Sequence, residues 1–126
     1  MYHVLIVEDE PKIAAFMQKG LHQAGYSSAV AHDGYSALVE AMTGRFQLIL
    51  LDLGLPGMDG QAVLQRLRSQ GNTCPVIIVS ARTLSSAETT SMQQLANGWV
   101  HKPFRIKDLL AQMQQRLPAQ EYCTAS

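Results

Sequence analysis

The sequence predicts an α/β fold, a doubly wound parallel sheet with helices on both faces. Three observations predict it. Strand-like and helix-like stretches alternate five times within 126 residues. The strand-like runs are short and almost wholly apolar, the pattern of strands buried on both faces. Acids, a serine and a lysine follow those runs, and open α/β sheets place their sites at that carboxyl edge. Five βα units of this length imply crossovers that stack helices on either side of one sheet.

His3–Val7 is an apolar, β-branched first strand. Glu8, Asp9 and Glu10 follow, then Pro11, which suits the first turn of a helix. Ile13, Met17, Leu21 and Ala24 form a helical stripe that ends at Gly25. Residues 26–31 read as a weaker second strand. Asp33 is placed to cap a helix carrying Ala37, Leu38, Ala41 and Met42, which closes at Gly44. Residues 46–51, FQLILL, are the third strand, bracketed by Gly44 and Gly54. A helix opens at Asp59 or Gly60, turns Val63, Leu64 and Leu67 inward, and ends before Gly71. Pro75 precedes the fourth strand, residues 76–79. Residues 84–95 are the poorest helix, because Ser85, Ser86, Thr89, Thr90 and Ser91 have modest helix propensity. A parallel crossover nevertheless requires a helix there. Residues 99–101 make a short fifth strand. Ile106, Leu109, Leu110, Met113 and Leu117 define a final amphipathic helix, ended by Pro118. Residues 1–117 therefore read as one domain, and 118–126 as a polar tail or the start of a linker.

Composition narrows the function classes. Apolar residues make up 47% of the chain, enough for a real core. The formal net charge is +0, so the domain has no basic field for direct nucleic-acid binding. No apolar run is long enough to span a bilayer, and no signal peptide is read before Glu8. Cys74 and Cys123 show no CxxC or metal spacing, so a reduced, cytoplasmic setting is expected.

The strand ends carry a consistent set. Glu8 and Asp9 follow strand one, Asp52 follows strand three, Ser80 ends strand four and Lys102 ends strand five. A doubly wound sheet brings these to one edge. Three crowded carboxylates repel, and each resists ionisation. A hard divalent cation removes that conflict, and Mg²⁺ suits oxygen ligands. Lys102 adds positive charge, and Ser80 offers a hydroxyl. The set suits a phosphoryl group on Asp52, a carboxylate being a known type of covalent nucleophile. Each residue also has an ordinary reading. The acids can be a helix-start bias, Ser80 a loop hydroxyl and Lys102 a solvated charge. Trp99 can be plain core and the methionines core or loop filler. The four histidines lack metal spacing and read as structural or surface. The joint placement at four strand ends carries the functional reading.

The motifs VLIVEDE, LILLDLGLPGMDG, VIIVSAR and WVHKPF stand in this order across residues 2–117. Together they resemble the receiver domain of two-component response regulators. The resemblance implies a flavodoxin-like (βα)5 sheet of order 2-1-3-4-5. It implies that Asp52 accepts a phosphoryl group from a sensor histidine kinase. Asp9 and Asp52 then resemble direct Mg²⁺ ligands, with the Gly54 carbonyl as a further ligand and Glu8 holding metal-bound water. Ser80 resembles the switch hydroxyl, with Ala81 leaving room for phosphate beside it. Lys102 resembles the phosphate-pairing lysine, with a cis bond to Pro103 expected. Trp99 stands where the switch aromatic, often Tyr, would be.

The wording DLGLPGMDG and KPF is closest to receivers of OmpR/PhoB-type transcription factors. The implied output is transcription, through a DNA-binding domain outside this chain, which is an excised or a stand-alone receiver. Such a domain is a switch, not an enzyme, and catalyses only its own phosphorylation and dephosphorylation. Leu95-Ala96-Asn97-Gly98 departs from the Gly-Ala-Asp-Asp of that subfamily. Phosphorylated receivers of this type pair through the fourth helix, fifth strand and fifth helix, with charged pairs setting the register. Here Glu88 would face Asp108, Asn97 and Gly98 replace acids, and Gln112 replaces their basic partner. A monomer or weak dimer is expected. Two other classes fit less well. An aspartyl-phosphate phosphatase would want an acid where Gly54 stands. A flavin module would want a phosphate loop after strand one, where Glu8, Asp9 and Glu10 would repel it.

Overall fold

The computed structural model describes residues 2–82 and 85–117, and alternation along its central strands builds two cores. The strands are β1 (His3–Val7), β2 (Ser27–Ala31), β3 (Leu48–Leu51), β4 (Val76–Ser80) and β5 (Gly98–His101). The helices are α1 (Pro11–Gln23), α2 (Gly34–Ala41), α3 (Gly60–Ser69), α4 (Ser86–Leu95) and α5 (Ile106–Arg116). All strand pairs are parallel, in the order β2-β1-β3-β4-β5. Side chains alternate across a strand. Leu5, Val7, Ile49, Leu51, Val76 and Ile78 therefore share one face with Ala37 of α2, Leu64 of α3 and Met92 of α4. Val4, Ile6, Leu48, Leu50, Ile77 and Val79 share the other with Met17 of α1 and Met113 of α5. Every residue of β3 and β4 is buried, which explains their unbroken apolar sequence.

The predicted elements all form, with shifted ends. β2 starts at Ser27, not Tyr26, and β5 starts at Gly98. β3 starts at Leu48, because Phe46 and Gln47 belong to the entry turn. There the Gln47 side chain accepts from the His3 N–H at 2.8 Å and donates to the Arg45 carbonyl. Asp33 caps α2 as expected, accepting from the Ser36 N–H, and of the two residues read as opening α3 it is Asp59 that caps it, accepting from the Ala62 N–H. Two apolar placements are corrected. Ala24 lies past the end of α1 and is exposed, and Met42 is 49% exposed. Leu84 and Pro118, read as the start of one helix and the end of another, lie outside the described residues, as does Cys123.

Helix α4 buries only Met92. Its start is better specified than propensity suggested: Ser85 accepts from the Glu88 N–H and Glu88 accepts from the Ser85 N–H, a reciprocal capping box. A cap fixes where a helix begins, while burial fixes how firmly it is held. Amide exchange is therefore expected to be faster in α4 than in the other four helices. Protection there equal to that of β3 would contradict this.

Candidate functional site

The site is made by strands that end in step. Asp52 is the first residue past β3, and its N–H donates to the Val7 carbonyl of β1 at 3.1 Å. Glu8 is the first past β1, and its N–H donates to Ala31 of β2 at 3.0 Å. Lys102 is the first past β5, and its N–H donates to Ser80 of β4 at 3.0 Å. Each side chain thus leaves the sheet from backbone that the ladder still holds. Gly60 supports this edge from α3. A Cβ there would lie 2.2 Å from the Asp52 carbonyl oxygen, so only glycine lets the helix approach so closely.

Glu8, Asp9 and Asp52 converge, with one carboxylate oxygen from each lying within 4.8 Å of the others. Glu8 is 1% exposed and Asp52 8%, while Asp9 faces solvent. Lys102 Nζ lies 2.6 Å from Glu8 Oε1 and 3.4 Å from Asp52 Oδ2. Asp52 Oδ1 accepts from the Gly54 N–H at 3.2 Å, and Glu8 Oε2 accepts from the Glu10 N–H at 3.2 Å. Of these two acids, Glu8 is the nearer to Lys102.

Three carboxylates here face one ammonium. Burial pushes the Glu8 carboxyl above its ordinary value, and the Asp52 charge adds to this. The bonds from Lys102 and the Glu10 N–H offset it only in part. Burial also opposes the charged form of Lys102. Its bond to Glu8 and the charges of Asp52 and Glu8 outweigh that, so its pKa is raised. The two shifts agree physically: the cation sees two anions, whereas Glu8 sees one cation and one anion. The arrangement favours a bound cation or an added positive charge.

Ser80 is buried at the end of β4, and its Oγ accepts from the Arg82 N–H at 3.0 Å. Trp99 is half-buried, and its indole N–H is buried with no hydrogen-bond partner among the described residues. The Lys102–Pro103 peptide is cis. Sequence reading gave Arg82 and Arg68 no role, and took His32 only as structural or surface. His32 Nδ1 donates to the Glu8 carbonyl at 3.1 Å and so steadies the acidic turn. Arg82 lies between Asp59 at 3.8 Å and Glu88 at 3.7 Å. Arg68 donates to the main-chain carbonyls of Asn72 and Cys74, before β4, and of Leu95, at the end of α4. His32 and Arg68 stand outside the motifs, and Arg82 closes VIIVSAR but its partners Asp59 and Glu88 lie outside that run, so no local pattern marked these roles. None of the helices is long and apolar enough to cross a membrane, among the described residues.

A parallel five-stranded sheet with a buried acid at its carboxyl edge, flanked by two acids and a lysine, defines a phosphoacceptor-type α/β domain. The family model of the response regulator receiver domain matches residues 4–114, and the chain belongs to that family. It is 44% identical to the uncharacterized transcriptional regulatory protein YkoG of Bacillus subtilis over 91% of this chain and 50% of that protein. It is 40% identical to the transcriptional activator protein IrlR of Burkholderia pseudomallei over 90% of this chain and 49% of that protein. The chain thus spans about half the length of the curated relatives it matches. Among solved structures it resembles the response regulator TrrA of Thermotoga maritima, in complex with Mg²⁺ and BeF. The TM-score is 0.84 at 27% identity, covering 93% of this chain and all of that one. A receiver is a phosphoacceptor switch.

Proposed function

We propose that Asp52 is the phosphoacceptor, fed by a sensor histidine kinase, and that the switch controls transcription in the cytoplasm through a DNA-binding domain beyond residues 1–117. The observation that carries this is the convergence of Glu8, Asp9 and Asp52 on one buried edge beside Lys102. The similarity to transcriptional regulators about twice as long supports the output.

The donor set fits Mg²⁺, because it offers oxygen only and carries uncompensated negative charge. Asp9, Asp52 and the Gly54 carbonyl would hold the ion, with Glu8 holding its water. When bound, it supplies positive charge for the phosphoryl oxygens. The chain's own residues do the rest. Gly54 fixes one Asp52 oxygen through its N–H, which sets the carboxylate's orientation. In transfer, an Asp52 oxygen bonds to phosphorus as the bond from phosphorus to the donor histidine nitrogen breaks. The electron pair leaves on that nitrogen. Lys102 then pairs with the phosphoryl oxygens, and Ser80 supplies the hydroxyl that responds to them. The domain turns over no other substrate. The test is incubation with acetyl phosphate and Mg²⁺, followed by Trp99 fluorescence and the melting temperature. Mg²⁺ alone should raise the melting temperature by relieving carboxylate repulsion. A melting temperature unmoved at millimolar Mg²⁺, with unchanged fluorescence, would count against the site.

We also propose that the phosphorylated domain stays monomeric or pairs weakly. Glu88 is engaged by its own capping box and faces Arg82, and Asn97 accepts two hydrogen bonds within its own chain. Gln112 Oε1 would lie 3.1 Å from a Cβ at Gly98, so this side chain covers the start of β5. Each rim ion pair thereby missing is worth about 0.2–1 kcal/mol. Sedimentation at micromolar concentration with Mg²⁺ and beryllofluoride should give a monomer. A tight dimer abolished by Glu88→Lys or Gln112→Ala would overturn this.

A further inference from the structure

Helix α4 is held very differently at its two ends. At the C-terminal end, Arg68 reaches across from α3. Its Nε donates to the carbonyl of Leu95, the last residue of α4, at 2.9 Å. Its Nη1 donates to the carbonyls of Asn72 at 3.0 Å and Cys74 at 2.8 Å, in the turn before β4. Its Nη2 donates to Asn97 Oδ1 at 3.1 Å. That oxygen also accepts from the Val76 N–H at 2.9 Å, and the Asn97 N–H donates to the Val76 carbonyl at 2.7 Å. One guanidinium therefore joins α3, the start of β4, the end of α4 and the entry to β5. The last carbonyls of a helix lack donors within it, and the planar arginine fork supplies them in a fixed geometry.

At the N-terminal end the contacts are looser. The capping box of Ser85 and Glu88 is internal to this end of the helix. Arg82 stands 3.7 Å from Glu88 and 3.8 Å from Asp59, longer than a hydrogen bond and between partly exposed side chains. A cavity of about 510 Å³ runs along the helix from Arg82 and Thr89 to Ala96 and Asn97, so it borders both ends.

We propose that Arg68 and Asn97 form a fixed pivot at the C-terminal end of α4, so that phosphorylation swings the N-terminal end of the helix. This rests on the switch reading above. The direction follows from relative strength. Freeing the C-terminal end breaks the Arg68 bonds to the Leu95 carbonyl and to Asn97 Oδ1, whereas freeing the N-terminal end breaks one long, screened ion pair, Arg82–Glu88. The loose end is also the one wired to the site. Ser80 Oγ accepts from the N–H of Arg82, the residue whose guanidinium faces Glu88. A Ser80 hydroxyl that turns toward a phosphoryl group releases that N–H.

Residue-resolved amide exchange on the whole chain, with and without Mg²⁺ and beryllofluoride, tests this. Thr89, whose N–H bonds to Ser85, and Ala96, whose N–H bonds to Met92, report the two ends. On adding the mimic, Thr89 exchange should change by about tenfold or more while Ala96 and Asn97 stay within about threefold. Arg68→Met should erase the asymmetry and bring Ala96 to the Thr89 rate. Asn97→Asp keeps the acceptor oxygen and adds a charge toward Arg68, so Ala96 should exchange as in the parent or more slowly. Equal changes at both ends in the parent would overturn the pivot, as would fast Ala96 exchange in Asn97→Asp. If the mimic alters no amide anywhere, the switch reading falls with it. If amides near Asp52 respond but both ends of α4 move alike, only the pivot falls.

Discussion

Lys102→Met is expected to destabilise the domain and to cut phosphoryl acceptance by about a hundredfold or more. The substitution keeps most of the length of the side chain and removes its charge. Glu8 then loses its 2.6 Å partner while remaining buried, and Asp52 loses the nearest positive charge. Breaking a buried pair from one side costs about 3–5 kcal/mol. Lys102 keeps 16% side-chain exposure, so the low end of that range is expected. Urea unfolding checks the first effect, and the rate of phosphoryl gain from acetyl phosphate checks the second. A variant as stable and as reactive as the parent would remove Lys102 from the site.

The pH dependence has a definite sign. Lys102 has a raised pKa when folded, so its contribution is present at neutral pH and below. It is lost as pH rises above 10.5 through the folded value. Glu8 also has a raised value, so folding favours its neutral form. In Lys102→Met both burial and Asp52 push Glu8 further up, with no ammonium opposing them. The stability gap between parent and variant should therefore be widest near neutral pH. It should narrow as the solution is acidified toward and below the Glu8 range. A gap that grows in acid would contradict the pairing.

Much of this was legible in the sequence because the physics involved is local or periodic. The unbroken apolar runs at β3 and β4 announced strands buried on both faces, and the two-residue alternation sorted them between two cores. Asp33 was readable as a cap, and the start of α3 was readable to within one residue, because a cap depends on one side chain and the N–H three residues on. The start of α4 was undervalued for a related reason. Its serines were weighed as poor helix formers, yet Ser85 and Glu88 spell a capping box. The edge residues Glu8, Asp9, Asp52, Ser80 and Lys102 could be grouped from topology alone. Their pairing could not, because Glu8 and Lys102 are 94 positions apart and meet only in the folded sheet. Asn97 was read only for the charge it lacks at an intermolecular contact; that its oxygen also serves Arg68 and Val76 within the chain depends on partners distant in sequence.

Asp52→Asn offers the largest contrast. The substitution preserves shape and the acceptor for the Gly54 N–H, but it removes the nucleophilic carboxylate. It also removes one of three crowded charges, so the variant should melt a few degrees higher than the parent without Mg²⁺. That is the shift expected if repulsion of about 1 kcal/mol is relieved in a domain of this size. Its most direct readout is intact mass after incubation with acetyl phosphate and Mg²⁺. The parent should gain one phosphoryl group, labile to base, and Asp52→Asn should gain none while remaining folded. A folded Asp52→Asn chain that takes up phosphate as the parent does would place the acceptor elsewhere and contradict the account.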